Sequence, residues 1–577
     1  MHHNAKGNAQ RNKRTGAGTR IFSAFVLLLL AIITLRVLPV FTLLRSRATA
    51  AETIFIGRFL TLDPAHPRAE AIAVSAGRIL AIGTPSDVEK LANNATRVVK
   101  FSGLALPGFA DAHVHVGAIG AQLERLDLRG LSKAEILARV AEAARSVPSG
   151  GWIVGGGWDE GFWQPPVFPT AKELDAVSED HLVVLSRIDG HSTWVNSKVL
   201  EQAKIARDTP DPEGGAIRHD PAHEPTGMLV DNAQELIRSI TPKPTYADKE
   251  RRIRAALRQF TRWGLTSVHD AGDDLDTIAI YKDLLKRAEL PVRIYAMVGG
   301  DKARAHYLAS GPEPDLGNGM LAVRSFKLFL DGALGSRGAE LTAPYSDAPG
   351  ERGLQLMTDA DLGKIIQDAR KKGFQVNVHA IGDRAVARTL DAFEKAGVRK
   401  EERFRVEHGS IITDDDLARF AHLHIIASIQ PVFVGEYSRW AEDRVGPTRV
   451  RWVLRTRDLL NAGADLAAGT DYPDSDSGSP IDNLYCLVTR RSAAGKPEPG
   501  WQPDQRVDVD QALRLLTGGP AFAAFQEGDL GSLTIGRFAD FTVLSNDPHD
   551  LPMNDLRALT VRMAVVGGHI TFDASQN

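Results

Sequence analysis

Eight short apolar runs constrain this chain more than any other feature. The first leads into Leu106-Pro107-Gly108-Phe109-Ala110-Asp111-Ala112-His113-Val114-His115, and the others lie at 265–270, 292–298, 325–330, 374–379, 404–408, 425–430 and 466–471. Each has the length of a strand, and near-continuous apolar character marks a parallel strand covered on both faces. Helix-like stretches such as Asp359–Lys372 and Asp383–Ala396 fall between them. Strands alternating with helices build a parallel sheet, and eight of them predict an α/β fold closed as a (β/α)8 TIM-like barrel over about 107–525.

Residues 117–260 do not fit that count. They hold one more strand-like run, 182–188, and loops rich in Gly and Trp, so this stretch reads as an insertion lying over the barrel mouth. The flanks have a different texture. Short apolar runs at 53–56, 71–74 and 77–83 are punctuated by Gly, Pro and Asp, and 531–533, 536–544 and 563–570 repeat the pattern at the far end. The two flanks, 51–106 and 526–577, are therefore expected to pair into one small β domain.

The first 50 residues differ again. Lys6, Arg11, Lys13, Arg14, Arg20, Arg36, Arg45 and Arg47 are all basic, and no acidic residue precedes Glu52. Within this leader, residues 21–44 are apolar apart from Arg36, two hydroxyl residues between 21 and 35, and Thr42. Two readings compete. One is a secretory signal cleaved at Ala48-Thr49-Ala50; the other is an uncleaved anchor, since 24 residues can span a bilayer at about 1.5 Å each. Either exports the body, with the basic start left inside. Taking those eight residues from the chain's 69 basic ones leaves 61 against 72 acidic, a net −11. So acidic a body argues against nucleic acid as a partner. One cysteine, Cys486, excludes an internal disulfide and any site built from several thiolates.

Chemistry gathers at the strand ends. His113 and His115 are two residues apart on a strand and project to one side, where both can serve one metal ion. Lys327 stands inside the apolar run Phe326-Lys327-Leu328-Phe329-Leu330, and a buried lysine is rare unless paired. His379, His408 and Asp471 close the runs Val376-Asn377-Val378-His379, Arg405-Val406-Glu407-His408 and Ala468-Gly469-Thr470-Asp471. Any one of these histidines reads more simply as a satisfied core residue. In a barrel, however, the C-terminal strand ends share one face, and all six residues would meet there.

These motifs resemble the amidohydrolase superfamily and, within it, amidohydrolase family 3. The resemblance rests on Pro-Gly-Phe-Ala-Asp-Ala-His-Val-His, Lys-Leu-Phe-Leu-Asp-Gly-Ala-Leu-Gly-Ser-Arg (327–337), Val-His-Ala-Ile-Gly-Asp-Arg-Ala (378–385), Glu-His-Gly (407–409) and Gly-Thr-Asp-Tyr-Pro (469–473). It implies a metal-bearing barrel with a β-sandwich built from both chain ends. It also implies that His113, His115, Lys327, His379, His408 and Asp471 are metal ligands, with Lys327 carbamylated between two ions and Asp471 catalytic. Two zinc ions are the expected cofactor, with iron or manganese as alternatives on the same ligand types. The implied activity is hydrolysis of a C–N bond in a small, non-peptide amide, with N-substituted formamide deformylase or a related amidase the nearest activity. The same site acting on an ester or lactone is one alternative. A catalytically idle barrel used for binding or as a scaffold is another, although no ligand position is empty.

Lesser candidates carry two readings each. His191 resembles a family segment near substrate, or it packs the lid. Trp158 and Asp159, with Trp163, lie in a Gly-rich loop and either line the substrate pocket or pack it. His269 and Asp270 either support the metal ligands from behind or are structural. His422 and His424 stand at a strand start and are assigned no chemistry.

Overall fold

The computed structural model describes residues 50–576, apart from 161–162, 179, 188–191, 213–214 and 242. The leader with its apolar stretch at 21–44, and His191, lie outside the described residues. Among the described residues no helix is long and apolar enough to cross a membrane.

Eight parallel strands form the body: Phe109–Val114, Leu265–Asp273, Arg293–Val298, Leu321–Phe329, Gln375–Ala380, Arg405–His408, Ile426–Ile429 and Leu466–Ala468. Each hydrogen-bonds its neighbour in that order. The first and eighth strands form no ladder, so the barrel is nearly closed. Their ends are joined instead by backbone: Asp471 N–H donates to the His113 carbonyl at 2.7 Å, and His115 N–H to the Tyr472 carbonyl at 3.1 Å. Gly469 makes this approach possible, because a Cβ there would lie 2.5 Å from the His113 nitrogen.

The helices between strands form for local reasons. Asp359–Lys372 starts at Thr358, whose hydroxyl accepts Asp361 N–H at 3.1 Å, and stops at Gly373 with φ +78°. Its buried Leu362, Ile366 and Ala369 lie along one stripe that packs on the sheet. The main core runs between barrel and helices: Val268, Ile294, Val323, Phe326, Val376, Val378 and Val406 face helix residues such as Leu362, Val386, Leu390 and Phe393.

The flanking β domain is one continuous seven-stranded sheet. The two-sheet sandwich expected from the resemblance is therefore corrected to a single sheet curled on itself. Segment 536–539 ties its two edges together: Ile79 N–H donates to the Arg537 carbonyl at 2.8 Å, and Gly568 N–H to the Ala539 carbonyl at 2.9 Å. Phe55, Phe59 and Phe541 from the two chain ends meet edge-to-face inside it.

The insertion also differs from its loop-rich reading. It contains a six-stranded sheet from Leu126–Asp127 to Pro225–Asp231, with its own two cores. The helices Val116–Glu124 and Tyr246–Arg262 at its ends pack on each other and on the barrel core. The inserted layer is thus shorter than 117–260.

Candidate metal centre

All six strand-end candidates converge at one end of the barrel. One ligand atom each from His113, His115 and Asp471 lie within 4.8 Å of one another, the spacing at which three groups can share an ion. Lys327 Nζ is 3.0 Å from His113 Nε2. The His408 ring lies 4.9 Å from that of His113 and 4.5 Å from that of His379. Asp471 Oδ1 is 3.2 Å from His115 Nε2 and 3.4 Å from His113 Nε2, and its Oδ2 is 3.9 Å from His408 Nδ1.

Two of these residues reach the centre through backbone that ordinary residues avoid. His408 has φ +74° and Asp471 φ +60°. A non-glycine residue in the left-handed region costs of the order of 1 kcal/mol or more, and such residues cluster at functional sites. Alternation along Arg405–His408 sends Glu407 and His408 to opposite faces of the sheet; the turn at His408 brings its ring back to the centre.

The electrostatics suit a cation. Burial holds His379 and His408 well below the ordinary imidazole value, and His113 below it as well, so all three favour the neutral form that can donate a lone pair. At His115 burial pulls downward, but the Asp471 carboxylate beside it outweighs that and the value rises. Burial lowers Lys327 and favours its free amine. Burial alone would raise Asp471, yet the surrounding imidazoles, His408 foremost, hold it well below the carboxylate range. Two buried atoms in the cluster, His379 Nε2 and Asp471 Oδ1, make no well-formed hydrogen bond, although Asp331 stands 3.4 Å from the first and His115 3.2 Å from the second. Polar atoms this deep without one are costly, and an ion would satisfy both. The donor set therefore fits a divalent metal.

A second layer holds the first. Asp111 Oδ1 accepts N–H groups from His113 and Thr470, both at 3.0 Å, and Oδ2 accepts the Thr470 hydroxyl at 2.6 Å, pinning the first strand to the eighth. Asp331 accepts three backbone N–H groups, from Glu340, Ile381 and Gly382 at 2.8–3.0 Å, and lies 3.4 Å from His379 Nε2. Glu407 meets His113, and Gln430 Oε1 meets His408 Nδ1 at 2.9 Å. Asp270 accepts Val116 N–H at 2.9 Å and the Tyr281 hydroxyl, while His269 Nδ1 takes a hydrogen bond from Arg405 at 3.1 Å. Of these partners, Val116, Tyr281 and Arg405, none is one of the six candidate ligands. Asp111, Asp331 and Glu407 were not singled out from the sequence. Each is a charged residue beside an expected ligand or within a quoted motif, and that was the available signal.

The pocket candidates fare differently. Trp158 is fully buried in the insertion's own core, stacked on Trp163 and donating its indole N–H to the Leu185 carbonyl at 2.8 Å. Its expected place in the pocket lining is corrected to packing within the insertion. Asp159 is ion-paired to Arg187 at 2.9 Å. That arginine lines a cleft of about 610 Å³ together with Gly156, Gly157, Tyr472 and Asp474. Asp474 in turn lies 3.9 Å from His115, so this cleft adjoins the metal cluster.

Comparison with known proteins points to one family. The profile described as "Amidohydrolase family" matches residues 103–572. The putative amidohydrolase YtcJ of Bacillus subtilis is 33% identical over 536 residues, covering 91% of this chain and 100% of its own. N-substituted formamide deformylase of Arthrobacter pascens is 27% identical over 537 residues, covering 89% and 96%. The crystal structure of an uncharacterized metal-dependent hydrolase from Pyrococcus horikoshii superposes with a TM-score of 0.73 at 29% identity, covering 87% of this chain and 99% of that one.

Proposed function

The chain belongs to the amidohydrolase family, and from that premise we propose that it hydrolyses a carbon–nitrogen bond in a small, non-peptide amide. The observation that carries this reading is the convergence of four histidines, a lysine and an aspartate on one barrel end, with His379 Nε2 and Asp471 Oδ1 buried and without a well-formed hydrogen bond. The relative named for deformylating N-substituted formamides supports the choice of bond.

His113, His115 and Asp471 would hold one ion and His379 and His408 a second, with carbamylated Lys327 shared between them; zinc suits the set, as do iron and manganese. Bound there, a divalent metal supplies Lewis acidity toward a carbonyl oxygen and lowers the pKa of water from 15.7 to about 7. The rest falls to the chain. Asp471, held by its own backbone against His113, takes the proton of the attacking water and returns it to the leaving nitrogen, so that the amine departs neutral. The Lys327 amine, favoured by burial, adds to carbon dioxide: an N–C bond forms, one proton leaves, and the resulting carbamate offers two oxygens and one negative charge. His191 is proposed to contact substrate from the insertion side, and Asp159 to act there through Arg187. The leader is proposed to export the body.

Metal analysis of purified protein, followed by a panel of amides, esters and lactones, tests the reading. We expect bound divalent metal and turnover of amides that stops on chelation. Folded protein that binds no divalent metal, or metal-loaded protein that turns over only esters or lactones, would overturn it.

A further inference from the structure

Phe329 ends the fourth barrel strand two residues beyond Lys327, so both side chains leave the strand on the same face. In the parallel register it stands beside His379. Its ring centre is 5.3 Å from that of His379, and Lys327 Nζ lies 4.5 Å from it. Phe329 is therefore at the rim of the ligand cluster. It is nevertheless 43% exposed, whereas Phe433, whose ring centre is 6.5 Å from that of His408, is buried.

Phe329 is not alone. Leu356 N–H donates to the Leu330 carbonyl at 2.8 Å, which lays segment 354–356 along the same strand end. Leu354 and Leu356 are 57% and 56% exposed. A single exposed apolar side chain is ordinary; here Phe329 at the strand end is joined by two more on the segment hydrogen-bonded just beyond it. Because Phe329 lies 5.3 Å from the His379 ring, an occupant seated on Phe329 stands beside the ligand cluster. A large partner seated there would block the site, whereas a substrate's own side group would fill it.

We propose that Phe329, with Leu354 and Leu356, forms a subsite for an apolar substituent, aryl or branched alkyl, carried next to the scissile amide. This rests on the C–N hydrolase reading above and adds the substrate class. Burying the substituent against the ring supplies binding energy at a distance from the reacting carbonyl, and such energy can be spent on orientation there.

The test uses metal-loaded full-length protein and matched pairs of amides. One pair differs on the amine side, N-methyl against N-cyclohexylmethyl acetamide; the other differs on the acyl side, acetamide against cyclohexylacetamide. We expect the wild-type protein to prefer the apolar member of one pair by about tenfold or more in kcat/KM, and that pair identifies the side. Phe329→Ala should collapse the ratio, chiefly through KM, with unchanged metal content, while Phe329→Leu should retain most of it. A wild-type protein that cleaves both members of both pairs equally overturns the subsite, as does a Phe329→Ala variant that slows both members by the same factor. If no amide is cleaved, the C–N reading fails by itself, and calorimetric titration with cyclohexylacetate and acetate still decides the subsite. Tighter binding of cyclohexylacetate to wild type, lost in Phe329→Ala, supports it; equal binding of the two acids to wild type overturns it.

Discussion

Glu407 Oε2 lies 2.6 Å from Nδ1 of His113, with both side chains wholly removed from solvent. Burial would raise Glu407, but the contact with His113 holds it down to about 2, so it is an anion and can only accept. His113 must then donate from Nδ1, which leaves the lone pair of Nε2 facing Lys327 and Asp471. Glu407 thus sets the tautomer in which His113 can bind a cation. We expect Glu407→Gln, which preserves shape but not charge, to weaken metal affinity by about 10–100-fold, read by competition with a chelating dye. An unaltered affinity in a folded variant would assign Glu407 to packing alone.

Much of this centre was legible in the sequence because each candidate ligand closes an apolar run or, like Lys327, stands inside one, and such runs survive as buried parallel strands. Glu407 was not, although it stands in a quoted motif. Strict alternation puts it and His408 on opposite faces, and only the left-handed turn at His408 lets both serve one site. The insertion was misread for a related reason. Its strand Trp152–Trp158 contains three consecutive glycines and so lacks the period-2 pattern of a half-buried strand, and its strand Leu126–Asp127 is two residues long. Neighbouring strands in the sheet, rather than local preference, make them strands. The curl of the flanking sheet was illegible as well, since it depends on pairing between residues more than 450 positions apart.

The flanking domain is locked to the barrel by Arg293, the first residue of the third barrel strand. Its guanidinium donates to both carboxylate oxygens of Asp540, at 2.7 and 2.9 Å, and lies 3.7 Å from the Phe538 ring centre. Both charges are buried. Removing one partner strands the other, a change worth about 3–5 kcal/mol, whereas removing both leaves no uncompensated charge. We expect Arg293→Met and Asp540→Leu each to lower the melting temperature markedly, and the double variant to recover part of the combined loss. Strict additivity in that double-mutant cycle would show that the two charges are not coupled.

The apolar stretch at 21–44, framed by seven basic residues and interrupted by Arg36, should carry the body out of the cytoplasm. Residues 1–60 fused to a reporter active only outside the cytoplasm test this directly, and an active reporter is expected. A silent reporter with the fusion protein in the soluble cytosol would reject export. Mass analysis of the mature N-terminus then separates the two routes: a start near Ala51 marks cleavage after 48–50, and an intact leader marks an anchor.

Lys327 is 2% exposed and 3.0 Å from His113 Nε2, and burial lowers its pKa. An ammonium in that position would face divalent cations with like-charge repulsion and no water to offset it. A neutral amine could bind one ion as a terminal ligand. A carbamate instead presents two oxygens and a negative charge, which suits a pair of ions. Lys327→Ala should therefore lose metal and activity together, by at least about tenfold in each. A short carboxylic acid such as acetate or propionate, added to the variant, should restore part of both by occupying the space of the carbamate. Intact-mass analysis under carbon dioxide offers an independent readout, since carbamylation adds CO2 to wild type and not to the variant. Full metal content in Lys327→Ala, or a metal-loaded crystal structure with the Lys327 amine unmodified and turned away, would reduce the centre to a single ion held by histidines and Asp471.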